Sequence, residues 1–155
     1  MARWSWAPAL IASLVVAVAT AGTASAASCS PTFGDGFGPF GRGMPPVRAK
    51  IGTGHVLTGV VLSALGCKPV ARARVELWQA GRNGRYTRAT SATVLTDARG
   101  RFRFEGPYPT SYEGTEPHIH VRVIASAHRP LLARVVPARG AKRTTVRFVL
   151  EPEAL

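Results

Sequence analysis

After its first 26 residues the chain carries no stretch with a helical apolar period, only short runs of alternating apolar and polar residues separated by turn residues. Alternation at period two sends successive side chains to opposite faces of a strand, so each run needs a second sheet to bury its apolar face. Val56 to Ser63 is the first run. Ala71 to Ala80 is the second, with Val75 and Leu77 on one face, Glu76 and Trp78 on the other, and the turn signal Asn83-Gly84 after it. Thr93 to Leu95 leads through Asp97-Ala98-Arg99-Gly100 into Arg101 to Phe104, where Phe102 and Phe104 are expected to point inward. His118 to Ala125, Leu131 to Val136 and Thr144 to Val149 complete the set. The pattern predicts an all-β protein, an antiparallel β-sandwich of about seven to eight short strands.

The start of the chain sets the expected compartment. Residues 1–26 read as a signal peptide: Arg3, an apolar run from Ala7 to Ala21, then the small-residue cleavage pattern Ala24-Ser25-Ala26. A retained membrane anchor fits less well, because the run is short for a span and no basic stop-transfer cluster follows it. Lipidation of Cys29 is a minor option, since Ala26 stands where a large aliphatic residue is expected. Removing 26 of 155 residues leaves 129, one domain with a single core. Within it, residues 27–50 form a Gly/Pro/Phe-rich arm without period (TFGDGFGPFGRGMPP), and residues 51–155 form the sandwich. An exported protein with two cysteines favours a disulfide between Cys29 and Cys67. Neither cysteine sits in a C-x-x-C pair, which argues against cysteine redox catalysis and against a thiolate zinc site.

The formal net charge of +12 would draw polyanions. The cations are spread along the chain, however, and are nearly all arginine, with Lys50, Lys68 and Lys142 the lysines. No nucleic-acid module accompanies them, so nucleic acid is not an expected partner.

The chemistry-bearing residues lie late in the chain. In His118-Ile119-His120 the two imidazoles share one strand face, a pair of neighbouring metal ligands on a rigid element. Tyr86, in Gly84-Arg85-Tyr86, and Tyr108, in Pro107-Tyr108-Pro109, offer two phenols; Tyr112, nearer the histidines, competes with them. Two neutral nitrogens with two phenolates make a hard, anionic set that suits Fe(III) better than zinc or copper(I). Trp78 and Phe102 are expected in the core, and His55 and His128, which fit no ligand spacing, in solvent.

Taken in order, GCKPVARARVELWQAGRNGRYTR, LTDARGRFRFEGPYP and PHIHVRV resemble the catalytic core of the intradiol ring-cleavage dioxygenases, the superfamily of catechol and protocatechuate dioxygenases, over about Gly52 to Val136. The resemblance implies a mononuclear non-haem iron(III) on a β-sandwich, without a large cofactor, held by Tyr86, Tyr108, His118 and His120. It implies a catecholic substrate and O2, ring opening between the hydroxyl-bearing carbons to a muconate-type diacid, and a role in aromatic catabolism. Tyr108 would be displaced by substrate and act as proton acceptor, the catalytic residue. A bound trivalent cation stabilises phenolates that otherwise form near pH 10 and positions the diol.

Departures accompany the resemblance. The family's arginine three residues before the first histidine is Thr115 here, and Thr110 follows Tyr108-Pro109. Arg85, Arg88 and Arg122 are candidates to supply the charge, and no sequence argument selects one. The catechol branch's helical dimerisation region is absent, so a homo-oligomer would need other contacts. Two further classes stay open: a non-catalytic exported sandwich that binds iron or catechol-like ligands, and an adhesive sandwich of the transthyretin or carboxypeptidase-regulatory type.

Overall fold

The computed structural model describes Met1 and residues 29–36, 38 and 44–154. The expected signal peptide, apart from Met1, and the middle of the Gly/Pro-rich arm lie outside the described residues. Seven strands follow one another: β1 (His55–Ser63), β2 (Arg74–Gln79), β3 (Ser91–Leu95), β4 (Arg101–Gly106), β5 (Ile119–Ile124), β6 (Leu131–Val135) and β7 (Arg143–Leu150). They form two sheets, ordered β4-β1-β7 and β3-β2-β5-β6. Every pairing is antiparallel except β7 on β1, which is parallel. Parallel neighbours need a long crossover, and the chain supplies one by passing through the other sheet between β1 and β7.

Period-two alternation sets the faces. Leu57, Val61, Phe102, Phe104, Phe148 and Leu150 meet Val75, Leu77, Ile119, Val121, Val123 and Ala133 in one buried cluster between the sheets. β2 begins three residues later than its sequence run, because Arg72 takes a left-handed φ of 56° in the turn that precedes it. Gly59 is where the core comes closest to the backbone: a Cβ there would lie 2.6 Å from Phe102 Cε1 and 2.8 Å from Val146 Cγ2. Phe102 stacks on Phe148 at 6.0 Å, so the ring has no easy retreat.

The other face of the four-stranded sheet carries the polar rows. Ser91, Trp78, His120 and Arg134 stand side by side across its four strands, and Thr93, Glu76, Arg122 and Leu132 form the next row. Glu76 is fully buried and is held by Arg122, whose Nε and Nη2 lie 2.6 and 2.5 Å from Oε2, and by Arg74 at 3.0 Å. Arg122 also lies over the Trp78 ring, 5.5 Å from its centroid. A buried carboxylate stripped of such partners is strongly destabilising.

The described parts of the arm are paired to the sandwich. Thr32 N–H donates to Val149 O at 2.9 Å, Asp35 N–H to Leu132 O at 3.1 Å, and Thr93 N–H to Pro46 O at 2.7 Å. The described parts of the arm thus meet β7 and β6 around Thr32 to Asp35, and β3 at Pro46. A Cys29–Cys67 disulfide closes a 38-residue separation and ties the start of the arm to the turn after β1. Among the described residues no helix is long and apolar enough to cross a membrane.

A Gly59→Ala substitution should destabilise the fold by about 1–3 kcal/mol through overpacking against Phe102. Urea unfolding checks this, and an unchanged midpoint would show that the core yields there. Replacing both cysteines by serine should cost roughly 3–4 kcal/mol on the loop-closure argument, read in the same assay against the oxidised protein.

Candidate metal centre

β5 starts at Ile119, so His118 stands just before the strand and His120 on its second residue. Their Nε2 atoms meet at 2.9 Å, with the side chains 4 % and 6 % exposed. His118 Nδ1 lies 2.7 Å from Glu116 O. A carbonyl only accepts, so Nδ1 carries the proton and Nε2 keeps its lone pair, the tautomer of a metal ligand with its orienting partner in place.

Two turns bring the phenols. The hairpin after β2 closes through Gly81 N–H to Arg85 O at 2.9 Å, with Gly84 at a φ of 70°, and delivers Tyr86. A Cβ at Gly84 would lie 3.3 Å from Tyr112 Cβ, so this glycine also makes room for the second tyrosine. Tyr112 heads a tight turn in which Thr115 N–H and Oγ1–H both donate to Tyr112 O, at 2.8 and 2.6 Å. Glu113 and Gly114 at its tip have φ of 48° and 74°.

The four rings form a closed circuit: Tyr86 to Tyr112 at 5.6 Å, Tyr112 to His118 at 5.7 Å, His118 to His120 at 4.5 Å, and His120 back to Tyr86 at 5.6 Å. The Tyr86 hydroxyl donates to the Tyr112 hydroxyl at 2.5 Å. Burial pushes the Tyr86 phenol well above its ordinary range, and the hydrogen bond and charge of Tyr112, with the charge of Glu113, push it further. Such a phenol ionises at neutral pH only with a cation beside it.

Tyr108 stands elsewhere. Its hydroxyl is directed at Pro137 O and Ala138 O, each at 3.2 Å, and its ring lies edge-on to His55 at 5.8 Å. The structure thus brings together Tyr86, His118 and His120 of the sequence-derived set, and puts Tyr112, not Tyr108, in the circuit with them. The cause is local: Gln79 Nε2–H donates to Pro107 O at 2.9 Å and anchors the Pro-Tyr-Pro segment, while the turn at Tyr112 faces the imidazoles. Distance along the chain was the available signal, since Tyr112 is six residues before His118 and Tyr108 is ten. His55 also departs from expectation. It is 1 % exposed, with Nδ1–H donating to Ala141 O at 2.8 Å, and is part of the packed interior rather than solvated.

The donor set fits a hard trivalent cation. The Nε2 atoms of His118 and His120 meet 2.9 Å apart, so both would face a single ion. Among the described residues no three His, Cys, Asp or Glu side chains gather, so a metal centre here must draw on phenols. Beside the imidazoles opens a recess of about 340 Å³ lined by Asp35, Thr115, Glu116, His118, Arg134 and Val136.

A family model described as a dioxygenase (Dioxygenase_C) matches residues 31–138 of the chain. Among solved structures, the dioxygenase domain of a dioxygenase carbohydrate-binding protein fusion from Streptomyces sp. SirexAA-E is similar at a TM-score of 0.69 and 23 % identity, over 80 % of this chain and 100 % of that one. Chlorocatechol 1,2-dioxygenase from Pseudomonas putida gives 0.62 and 19 %, over 74 % of this chain and 70 % of that one. An intradiol ring-cleavage dioxygenase from Tetranychus urticae gives 0.64 and 24 %, over 72 % and 66 %. At these identities the likeness is one of fold. No curated protein matches the chain in sequence.

Replacing His118 by alanine should lower iron(III) affinity at least about 100-fold, the upper end of what an orienting partner alone is worth. Competition with a coloured chelator measures it, and an unchanged affinity would contradict the site.

Proposed function

The chain belongs to the intradiol ring-cleavage dioxygenase superfamily, and from that premise we propose that it is an exported iron(III) enzyme. It opens a catecholic ring between the two hydroxyl-bearing carbons and incorporates both atoms of O2 into a muconate-type diacid. The observation that carries this reading is the closed circuit of Tyr86, Tyr112, His118 and His120. These four residues would hold the metal, which supplies charge to deprotonate and position the diol.

The protein groups have distinct tasks. His118, with Nδ1–H committed to Glu116 O, presents a lone pair in a fixed direction. His120 is locked by strand pairing on both sides, between Trp78 and Arg134. Tyr86 follows the hairpin closed at Gly84, and its phenol donates to the Tyr112 hydroxyl. Tyr112 sits on a turn whose tip residues Glu113 and Gly114 are exposed, so it is the phenol able to yield its place to a diol and take up a proton. The proton-acceptor role read for Tyr108 from the sequence passes to Tyr112. Export is supported by the signal-like residues 1–26 and by the Cys29–Cys67 disulfide, a bond of oxidising compartments.

Thr115 favours one alternative, a protein that binds iron and catechol without cleavage, because an uncharged residue whose hydroxyl is spent on Tyr112 O cannot stabilise an anionic substrate. One experiment separates the readings: visible spectra of the iron-loaded protein before and after catechol under air, with product analysis. A phenolate-to-iron absorption that shifts with catechol and yields a ring-opened diacid is the expected result. Colour without product would leave a binding protein, and no colour would remove the iron site.

A further inference from the structure

The recess beside His118 needs a cation if it is to receive a catechol, and the residues best placed by sequence do not supply one. A diol that binds a metal through both oxygens does so deprotonated, and ring opening adds two carboxylates, so ligand and product are both anionic. Thr115 is neutral. Arg122 is committed to the buried Glu76 at 2.5 and 2.6 Å. The formal charges lining the recess are Asp35, Glu116 and Arg134, and with Arg134 discounted only carboxylates remain to face an anion.

Arg134 is delivered to this place by register. It is the cross-strand partner of His120 in the β5–β6 pairing, which puts both side chains on one face with Cβ atoms about 4.5–5.5 Å apart. It shares the recess wall with His118. Asp35 accepts from Arg134 Nε at 2.5 Å, and its own N–H is tied to Leu132 O at 3.1 Å, two residues before Arg134 on the same strand. A carboxylate that grips Nε from a fixed backbone sets the plane of the guanidinium, and a planar fork suits two neighbouring oxygen anions.

We propose that Arg134 binds the diol oxygens of the catecholic substrate, with Asp35 of the N-terminal arm as the residue that positions its guanidinium. The inference rests on the reading of the site given above. It assigns the arm a part in the substrate site and makes the cation come from β6, beside the metal-ligand strand, instead of from the segment before His118.

The test is a spectrophotometric titration of the iron-loaded full chain with 4-nitrocatechol, whose absorption reports its ionisation, alongside iron content. In R134Q the dissociation constant should rise about 10- to 100-fold, the worth of a charge-assisted hydrogen bond, while iron content and phenolate-to-iron absorption stay at the wild-type level. R134K, which keeps the charge without the fork, should fall between the two. D35N should raise the constant about threefold or more with iron retained, and it carries the test should R134Q fail to fold. A constant in R134Q or D35N within about twofold of wild type would overturn the proposal while leaving the iron site standing; loss of iron from a folded R134Q would overturn it by making Arg134 a support of the metal centre. If the iron-loaded wild type itself binds no 4-nitrocatechol, the reading of the site fails and this inference with it.

Discussion

β5 is hydrogen-bonded on both sides, to β2 and to β6, and its register decides what the protein can do. Leu77, Val121 and Ala133 face the core in one row, while Trp78, His120 and Arg134 face outward in the next. A slip of β5 by one residue would exchange its own two faces, driving His120 and Arg122 into the apolar cluster and Val121 out of it. The cost of burying those unpaired polar groups fixes the register as firmly as the packing does. The same alternation that closes the sandwich therefore places the His120 imidazole and the Arg134 guanidinium on a common face.

The second constraint is electrostatic. The site gathers two buried imidazoles and two half-buried phenols. Burial holds Tyr86 in its protonated form, and only a cation reverses that balance. Two of the carboxylates near this face are held in ion pairs, Glu76 with Arg122 and Arg74, and Asp35 with Arg134. A donor set of this kind discriminates by hardness and charge rather than by number of carboxylates, which separates it from magnesium or calcium sites.

Much of this was legible in the residues. Alternation located the seven strands to within a few positions, His-x-His declared a shared face, Gly84 marked the hairpin that presents Tyr86, and two cysteines in an export context pointed to the bond found between Cys29 and Cys67. What escaped depends on long-range geometry. Tyr108 and Tyr112 are four residues apart in one irregular segment, and which phenol turns toward the imidazoles is set by the anchoring of Pro107 on Gln79 and by the turn at Thr115. The burial of His55 follows from its carbonyl partner Ala141, 86 residues away in the chain. Arg134 carries no motif at all. Its relation to His120 exists only once β5 and β6 are paired, and the arm's role appears only when Asp35 is seen on β6.

The measurement that bears most directly on the account is iron content and visible absorption of two single variants, Tyr112→Phe and Tyr108→Phe, purified and loaded identically. The four-ring centre predicts that Tyr112→Phe loses iron or loses much of the phenolate-to-iron band, while Tyr108→Phe keeps both. The reverse pattern, with the band intact in Tyr112→Phe and lost in Tyr108→Phe, would contradict it.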